Sequence, residues 1–475
     1  DQALPQDFFA RLDIDFVSDQ DYLKEFQDGY AGFTQSDRMF ERFFGRDLDD
    51  KDDAIRSNSL NLNRIWSRYS FNALTNWEDD VIARRQGKRN TAQSTLPAIA
   101  FNGMRQPLPG SPLYFDFATS YFHNYTEDAD RNQRVDAYPR LYWPFRWQRY
   151  LAVEPSAGLR QTLWYIDRFD DAGTENDRTL SRELYDQRLD LSTDIFKIYE
   201  TDLGGADRIR HTLRPQVVYS FIPDKDSDRF PDFDRNDKIL KKNQVTYSLT
   251  NTLTSRRPKA PAAGAAPPAA GDSPPEFAYR EFLRFKLEQS YDITEADEGD
   301  PQKLRNQETL KREPFTPLAG ELQFVPGRYL ALQADAEWSV YEDTFLNHNF
   351  AARLNDQRGD YLFVEHRFTR EARIRDLETG DVTRTDRSQT LYADAGVRLA
   401  DWLWAYGEYE YNLEDELVQR AGFGLVYSAQ CWSAGLGYLQ KDEDRQIAFM
   451  VSLRGLGSLG EKAIGRSIPS TLDWN

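Results

Sequence analysis

The sequence contains no long apolar run and almost no cysteine, and both shortages limit what the chain can be. No stretch of about 18 or more apolar residues occurs, so the sequence predicts no transmembrane helix. Cys431 is the only cysteine among the 475 residues. The chain can therefore form neither an internal disulfide nor a cysteine-based zinc cluster. In a secreted or envelope protein, such a lone thiol either stays free or pairs with another chain or with a missing segment.

Basic residues are in deficit. The chain has 60 Lys and Arg against 78 Asp and Glu, which gives a formal net charge of -18. Nucleic-acid binding requires clustered Lys and Arg that contact phosphates, so this charge balance argues against a nucleic-acid partner. A mixed, well-solvated polar surface with acidic loops is the simpler interpretation.

Residues that carry chemistry are also sparse. The four histidines are scattered: His123, His211, His348 and His366. His348 and His366 could meet on neighbouring strands, but a pair of surface or lumen histidines is the favoured interpretation over a metal site. Gly422 and Gly424 lie inside a predicted strand, where glycine favours curvature or close packing and not phosphate binding. We therefore predict no enzyme activity, no cofactor and no metal.

The chain is instead rich in alternating apolar and polar residues. The segment from Leu330 to Val340 is representative, with apolar side chains at Leu330, Leu332, Ala334, Ala336, Trp338 and Val340. Side chains alternate between the two faces of a β-strand, so such a segment predicts a strand with one apolar and one polar face. About twenty segments of this kind occur, and helical periodicity is nearly absent.

This repetition predicts an all-β fold, most simply a large antiparallel transmembrane β-barrel of about 20–26 strands in a single chain. A barrel has a low mean hydropathy because every strand has a polar face, and aromatic girdles at both membrane interfaces fit the aromatic content of 14%. Short turns alternate with long charged loops such as Arg370–Arg387, as in outer-membrane barrels. A large soluble β-sandwich or propeller is the alternative, and in it the aromatic residues would form the core.

One segment interrupts the series of strands. Ser255–Pro275 (SRRPKAPAAGAAPPAAGDSPP) is rich in Ala, Pro and Gly and predicts a disordered loop. Strands of the same kind resume at Tyr279. We interpret the chain as one barrel domain, 1–475, with a long loop, because two half-barrels would leave unpaired edges.

Several segments resemble one family, in its order along the chain. The terminal ones are RLDIDFVSDQDYLKEF (Arg11–Phe26), LVYSAQCWSAGLGYLQ (Leu425–Gln440) and IAFMVSLRGLGSLG (Ile447–Gly460). Between them lie SPLYFDFATSYFHNY (Ser111–Tyr125), RVDAYPRLYWPF (Arg134–Phe145) and LAVEPSAGLRQTLWY (Leu151–Tyr165). Together they resemble the barrel region of the LptD family, also called OstA or Imp, of lipopolysaccharide-assembly proteins in the bacterial cell outer membrane.

The resemblance implies a function and partners. Members of this family receive lipopolysaccharide from a periplasmic Lpt bridge and insert it into the outer leaflet of the outer membrane. The saccharide crosses the barrel lumen, and the lipid leaves through a lateral gate between the first and last strands into the outer-membrane lipid. A plug lipoprotein, LptE, occupies the lumen. The family's N-terminal β-jellyroll contacts the bridge, and by this resemblance we expect it upstream of the present chain, which begins at the barrel.

The resemblance also places the gate at strands near 10–17 and 446–453. A seam closed by a short or distorted ladder opens at the lowest cost. The gate residues expected to face lipid are Leu12, Ile14, Phe16, Ile447, Phe449 and Val451. The residues expected to face the lumen near the gate are Asp13, Asp15, Ser452 and Arg454.

Two departures from the family pattern concern proline and cysteine. Family members often carry proline in the first strands, but none occurs here between Pro5 and Pro97. Studied members also have a cysteine pair near the position of Cys431, linked to the N-terminal domain. Cys431 could therefore form a disulfide with the missing domain, and a free thiol is the alternative.

Three functions remain open from the sequence alone. The first is the lipopolysaccharide translocon. The second is a passive outer-membrane porin or receptor-type channel, which should give steady ion conductance in a planar bilayer. The third is a soluble all-β binding module, which should stay monomeric without detergent.

Overall fold

Strands form almost wherever the sequence alternates. The computed structural model describes residues 2–4, 7–25, 33–44, 48–127, 129–167, 179–225, 229–231, 233–234, 237–258, 276–297, 312–370, 372–375, 382–385, 387–441, 444–453 and 457–459. Within these ranges, 24 strands belong to one sheet and two more form a separate hairpin. The predicted all-β antiparallel class and the strand number are confirmed.

The strands are numbered in chain order. The first thirteen are β1 (Gln2–Leu4), β2 (Phe8–Asp13), β3 (Ile55–Ile65), β4 (Tyr69–Asp80), β5 (Ser94–Pro107), β6 (Tyr114–Tyr125), β7 (Arg131–Tyr142), β8 (Phe145–Trp147), β9 (Leu151–Asp167), β10 (Thr179–Ser192), β11 (Ile195–Glu200), β12 (Arg208–Ile222) and β13 (Lys242–Pro258). The others are β14 (Phe277–Asp292), β15 (Leu318–Phe324), β16 (Leu330–Ser339), β17 (Thr344–Asn355), β18 (Tyr361–Thr369), β19 (Ala372–Arg375), β20 (Val382–Thr385), β21 (Ser388–Ala400), β22 (Leu403–Asn412), β23 (Leu417–Ser428), β24 (Trp432–Lys441), β25 (Asp444–Leu453) and β26 (Gly457–Leu459).

The described helices are short. They are α1 (Gln20–Glu25), α2 (Phe33–Phe44), α3 (Val81–Arg85) and α4 (Ile293–Asp297), with a 3-10 turn at Leu203–Gly205. Asp80 caps α3, because its carboxylate accepts the backbone N–H of Ala83 at 2.9 Å. None of the helices in the described ranges has the length and apolar character needed to cross a membrane.

The chain divides into two compact units. The first comprises residues 1–146, 153–189 and 220–242, and the second comprises residues 147–152, 190–219 and 243–475. In the first unit, β1 to β7 form an antiparallel meander in which each strand pairs with the next, and β9 pairs with β7. In the second unit, β13 to β18 and then β21 to β26 continue in the same way, and β18 pairs directly with β21 across the small hairpin of β19 and β20.

Two predicted boundaries were wrong. The first gate strand was expected near residues 10–17, but β2 ends at Asp13, so the expected gate residues Ile14, Asp15 and Phe16 lie beyond it. The loop expected from Ser255 begins later, because β13 runs to Pro258, which pairs with Phe277. Its remaining part, 259–275, lies outside the described residues.

Candidate functional site: the terminal strands and a polar wall

The surface of the sheet is inverted relative to that of a soluble protein. On β9, Thr162 and Trp164 are buried, whereas Leu163 and Tyr165 between them are 44% and 45% exposed. Across the described residues, buried polar and charged side chains outnumber buried apolar ones. Exposed apolar strand faces together with buried polar faces are what a lipid environment requires.

Aromatic side chains cluster near the short-turn ends of the strands. In the first unit, Phe101 has ring contacts with Trp66, Tyr69 and Phe117 at centroid distances of 6.5, 6.0 and 5.5 Å. In the second unit, Tyr427 contacts Trp402 and Trp432 at 5.6 and 5.1 Å. Such belts are typical of a membrane–water interface, where one part of the ring is in apolar and one in polar surroundings.

The strand that follows β1, β2, has only a short ladder with its neighbour β3. It pairs with β3 only over Phe9–Asp13, whereas β3 pairs with β4 along its whole length, Ile55–Ile65. The apolar alternation nevertheless continues past the ladder: Leu12, Ile14 and Phe16 are 58%, 59% and 69% exposed. The three residues predicted to face lipid are therefore exposed, but only Leu12 belongs to the strand.

Side chains replace the missing ladder beyond Asp13. The backbone N–H of Asp15 donates to the Asn58 Oδ1 atom at 3.0 Å, and the Asp15 carboxylate accepts from Arg56 Nη1 at 3.3 Å. Arg56 is fully buried and also donates to the backbone carbonyls of Asp49 and Lys51.

Arg84 on α3 holds the end of the same segment. Its guanidinium donates to the backbone carbonyl of Val17, lies 4.7 Å from the ring centroid of Phe16 and pairs with Asp79 at 3.0 Å. We define residues 14–17 as the hinge segment. Its described contacts to β3 and α3 are made by side chains, which can break one at a time, and not by a continuous ladder.

The last long strand, β25, differs from β2 because it is fully paired with its inner neighbour. It pairs with β24 over its whole length, Asp444–Leu453. Ile447 and Phe449 are 81% and 61% exposed and Val451 is half-buried, so these predicted gate residues lie on one face. Short strands occupy the other edges of the terminal strands: β26 pairs with residues 451–453, and β1 with residues 8–10 of β2.

The opposite face of β25 is less polar than expected. Ser452, predicted to face the lumen, is half-buried. Asp13 on β2, also predicted to face the lumen, is half-buried as well. Ala448 and Met450, however, are buried in an apolar cluster with Tyr406 and Val426. Arg454, the fourth predicted lumen residue, lies outside the described residues. Apolar residues at every position of Ala448–Val451 made both faces apolar, and this was the sequence signal for the cluster.

Glycine 424 makes room for this cluster. A Cβ atom at Gly424 would lie 2.2 Å from the Tyr406 hydroxyl and 2.4 Å from its ring, so Tyr406 lies across the strand only because a side chain is missing there. The interpretation of the Gly422–Gly424 segment as one of close packing is confirmed.

We expect Gly424→Ala to lower the free energy of unfolding by about 1–3 kcal/mol, because Tyr406 must move out of a packed position. Guanidinium unfolding in detergent micelles would measure the change. Gly407→Ala is the matched control, since its Cβ would meet only the Gly422 carbonyl oxygen, at an ordinary 3.5 Å. Equal losses for both variants would contradict the packing explanation.

The buried face of β6, β7, β9 and β10 carries a network of charged and polar side chains, which we call the polar wall. Arg140 pairs with Asp116 at 2.8 Å, and Arg160 pairs with Asp136 at 2.8 Å. The Tyr138 hydroxyl donates to Asp186 at 2.7 Å. Nearer β2, asparagines replace the charged side chains: Asn61 on β3 donates to Asn72 on β4 at 3.3 Å. Such a surface offers hydrogen bonds to a hydrated ligand and little to an alkyl chain.

The remaining predicted residues do not form a chemical site. His348 and His366 do meet on the paired strands β17 and β18, as ring neighbours 5.2 Å apart. Among the described residues, no group of His, Cys, Asp or Glu is arranged to hold a metal ion. Cys431 is exposed and has a free thiol; its pairing with another domain stays a prediction.

These properties define an all-β protein of the outer-membrane β-barrel class. A family model described as LptD, LPS transport system D, matches residues 1–380. The chain belongs to the LptD family, and its location is the bacterial outer membrane.

Relatives of known name support this assignment. An LPS-assembly protein LptD from Coxiella burnetii is 23% identical over 383 residues, covering 72% of this chain and 40% of that protein. Its counterpart from Nitrosococcus oceani is 24% identical over 510 residues, covering 97% of this chain and 57% of that protein. The chain thus spans about half the length of these relatives. Among solved structures, the siderophore receptor PirA from Acinetobacter baumannii matches 84% of this chain and 71% of that chain, at 10% identity and a TM-score of 0.31.

Proposed function

We propose that this chain is the barrel of a translocon that inserts lipopolysaccharide into the outer leaflet. In this proposal the saccharide passes along the polar wall, and the lipid leaves through a lateral gate between β2 and β25. Lipopolysaccharide is the substrate, a plug lipoprotein like LptE fills the lumen, and an N-terminal domain receives the substrate from the periplasmic bridge. Family membership supports the substrate class, since the relatives carry lipopolysaccharide assembly in their names.

The short ladder of β2 is the observation that carries the gate. A strand that is held to β3 only over Phe9–Asp13 is anchored by few backbone hydrogen bonds. Such a strand can shift away from the seam at low cost, because local opening occurs where these bonds are few. The exposed apolar Leu12, Ile14 and Phe16 would give a passing acyl chain a continuous apolar edge. The proposal places the opening beside β2 because β25 is fully paired with β24.

A disulfide across the seam tests the gate. Ile14 would be changed to Cys and combined in turn with Cys at Ile447, Phe449 or Val451, in a Cys431→Ser background that removes the native thiol. We expect the pair that cross-links to reduce newly exported lipopolysaccharide at the cell surface at least tenfold, and reductant to restore it. Surface labelling of lipopolysaccharide in cells that depend on the variant measures the effect.

A disulfide within one ladder provides the control. Leu60 and Thr75 are direct partners on β3 and β4, so Leu60→Cys with Thr75→Cys joins two strands that the proposal does not separate. Export should stay at the parental level. Full export through a demonstrably cross-linked seam would refute the gate, and steady ion conductance of the purified protein with its plug bound would favour the channel alternative.

A further inference from the structure

The loop between β12 and β13, residues 223–241, carries two aspartates that lie against the polar wall of the first unit. The Asp237 carboxylate is buried, with 1% of the residue exposed. It accepts hydrogen bonds from Arg134 Nη1 at 2.6 Å and Trp164 Nε1 at 2.8 Å. It also accepts from the backbone N–H groups of Phe233 and Asp234 at 2.9 and 3.2 Å. With four donors, the Asp237 carboxylate is bound in the way that a free anion would be bound at this site.

Arg134 obtains its carboxylates from the loop. Asp234 takes both of its terminal nitrogens in a fork, at 2.6 and 2.7 Å, and Asp237 shares one of them. Arg140 and Arg160 differ, because their carboxylates, Asp116 and Asp136, belong to the wall itself. Removal of the loop would therefore leave their ion pairs in place but deprive the buried Arg134 guanidinium of Asp234 and Asp237, unless another anion took their place.

An aromatic platform adjoins this anion site. The Phe230 ring of the loop lies on Trp164 at a centroid distance of 5.4 Å and an interplanar angle of 28°. The Arg182 guanidinium lies 4.8 Å from the Trp164 centroid and 5.4 Å from the Phe230 centroid, and it donates to the Asp237 backbone carbonyl. With the loop withdrawn, Trp164 would present a flat apolar face beside two guanidinium groups.

Buried amides next to Arg134 have unused hydrogen-bonding capacity. Asn132 lies two residues from Arg134 on the same face of β7 and is 0% exposed. Neither its Nδ2 nor its Oδ1 atom has a partner among the described residues, and Oδ1 of Asn124, its neighbour on β6, also lacks one. Because buried polar groups are normally hydrogen-bonded, these atoms point to a polar ligand.

We propose that Arg134, Arg182, Trp164 and Asn132 form a subsite for an acidic saccharide, which the chain's own Asp234 and Asp237 occupy as substitutes for the ligand's anionic groups. A phosphate or carboxylate replaces the aspartates on Arg134, a sugar ring replaces Phe230 on Trp164, and the free amide atoms of Asn132 bind hydroxyls. The loop acts as a competitor that leaves when an anionic saccharide arrives. This inference rests on the proposed function for its place on the export route.

Direct binding to the purified protein tests the subsite. The probe is the delipidated acidic oligosaccharide released from lipopolysaccharide by mild acid, and equilibrium dialysis measures its Kd. We expect Asp234→Asn combined with Asp237→Asn to bind the probe about tenfold more tightly than the parent, because the neutral amides no longer compete for Arg134. Adding Arg134→Gln to this double variant should abolish the gain.

Controls separate this mechanism from a general change of charge. Asp224→Asn also removes a carboxylate from this loop. The described ion pair of Asp224 is with Lys241, at 3.3 Å, and not with Arg134, so this variant should leave Kd unchanged. A neutral dextran fragment of similar size should gain nothing. Inorganic phosphate should compete weakly, since it lacks the ring that contacts Trp164. Heat-modifiable migration on gels verifies folding, and Phe230→Ala serves as a second loop-releasing variant if the double variant does not fold.

Three results would overturn the subsite: an unchanged Kd in the double variant, a gain that persists without Arg134, or an equal gain for dextran. These readouts do not involve export. An ineffective cross-link at the seam would remove the gate and leave the tenfold gain standing, whereas an absent gain would remove the subsite and leave the gate standing.

Discussion

Replacing Trp164 by alanine is expected to destabilise the protein by about 3–5 kcal/mol, the range for removing a fully buried tryptophan. Only 1% of this residue is exposed. Its ring contacts Phe230 and the Arg182 guanidinium, and its Nε1 atom donates to Asp237. The substitution therefore removes packing, a cation–π contact and a hydrogen bond to a buried carboxylate at once.

The loss should be measured as the change in free energy of unfolding by guanidinium in detergent micelles. Trp164→Phe separates its parts, because it keeps a ring but removes the hydrogen bond to Asp237, and should cost about 1–3 kcal/mol. Trp147→Ala is the control, since Trp147 is 58% exposed, and should cost much less than Trp164→Ala. Similar losses for the two alanine variants would contradict the conclusion that Trp164 is packed within the polar wall.

The strands were predictable because their cause is local. The alternating segment from Leu330 to Val340 predicted a strand, and β16 runs over Leu330–Ser339. It also placed Leu12 and Ile447 on exposed faces, because side-chain direction follows directly from position along a strand. Where every residue keeps its strand geometry, the sequence alone indicates which face is in lipid.

The contacts that distinguish this chain were not predictable in this way. Alternation extended the first strand to Val17, but the ladder stops at Asp13, where Asn58 and Arg56 contact Asp15 from 43 and 41 residues away. Nothing between Ile14 and Val17 signals that interruption. Side chains distant in sequence decide where the ladder ends.

The loop on the polar wall was missed for a similar reason. Its acidic composition indicates solvation, yet Asp237 is buried. Arg134 compensates its charge from 103 residues away, and Trp164 donates a hydrogen bond to it from 73 residues away. One signal was available. Trp164 shares its face of β9 with Thr162 and Arg160, and a tryptophan on an otherwise polar face indicates that something covers it.

The second large effect is expected at Arg56, whose loss should release the hinge segment. Arg56→Ala should lower the free energy of unfolding by about 3 kcal/mol, the lower end for breaking a buried ion pair, because the Asp15 side chain retains 25% exposure. The variant also removes the donor to the carbonyls of Asp49 and Lys51. Hydrogen exchange at the Asp15 amide should accelerate, since Asn58 then holds residue 15 without help from Arg56.

Arg85→Ala is the matched control for this prediction. Arg85 pairs with Asp21 at 2.8 Å, a shorter distance than that between Arg56 and Asp15, but the Arg85 and Asp21 side chains are both about 60% exposed. Exposed pairs are screened by water, so the loss should be within about 1 kcal/mol. If burial decides, Arg56→Ala is the more damaging change despite its longer ion pair. If the two variants lose equal stability, Arg56 does not hold the hinge segment. The segment is then held by its backbone and by α3 alone, and the proposal that side chains replace the ladder beyond Asp13 is wrong.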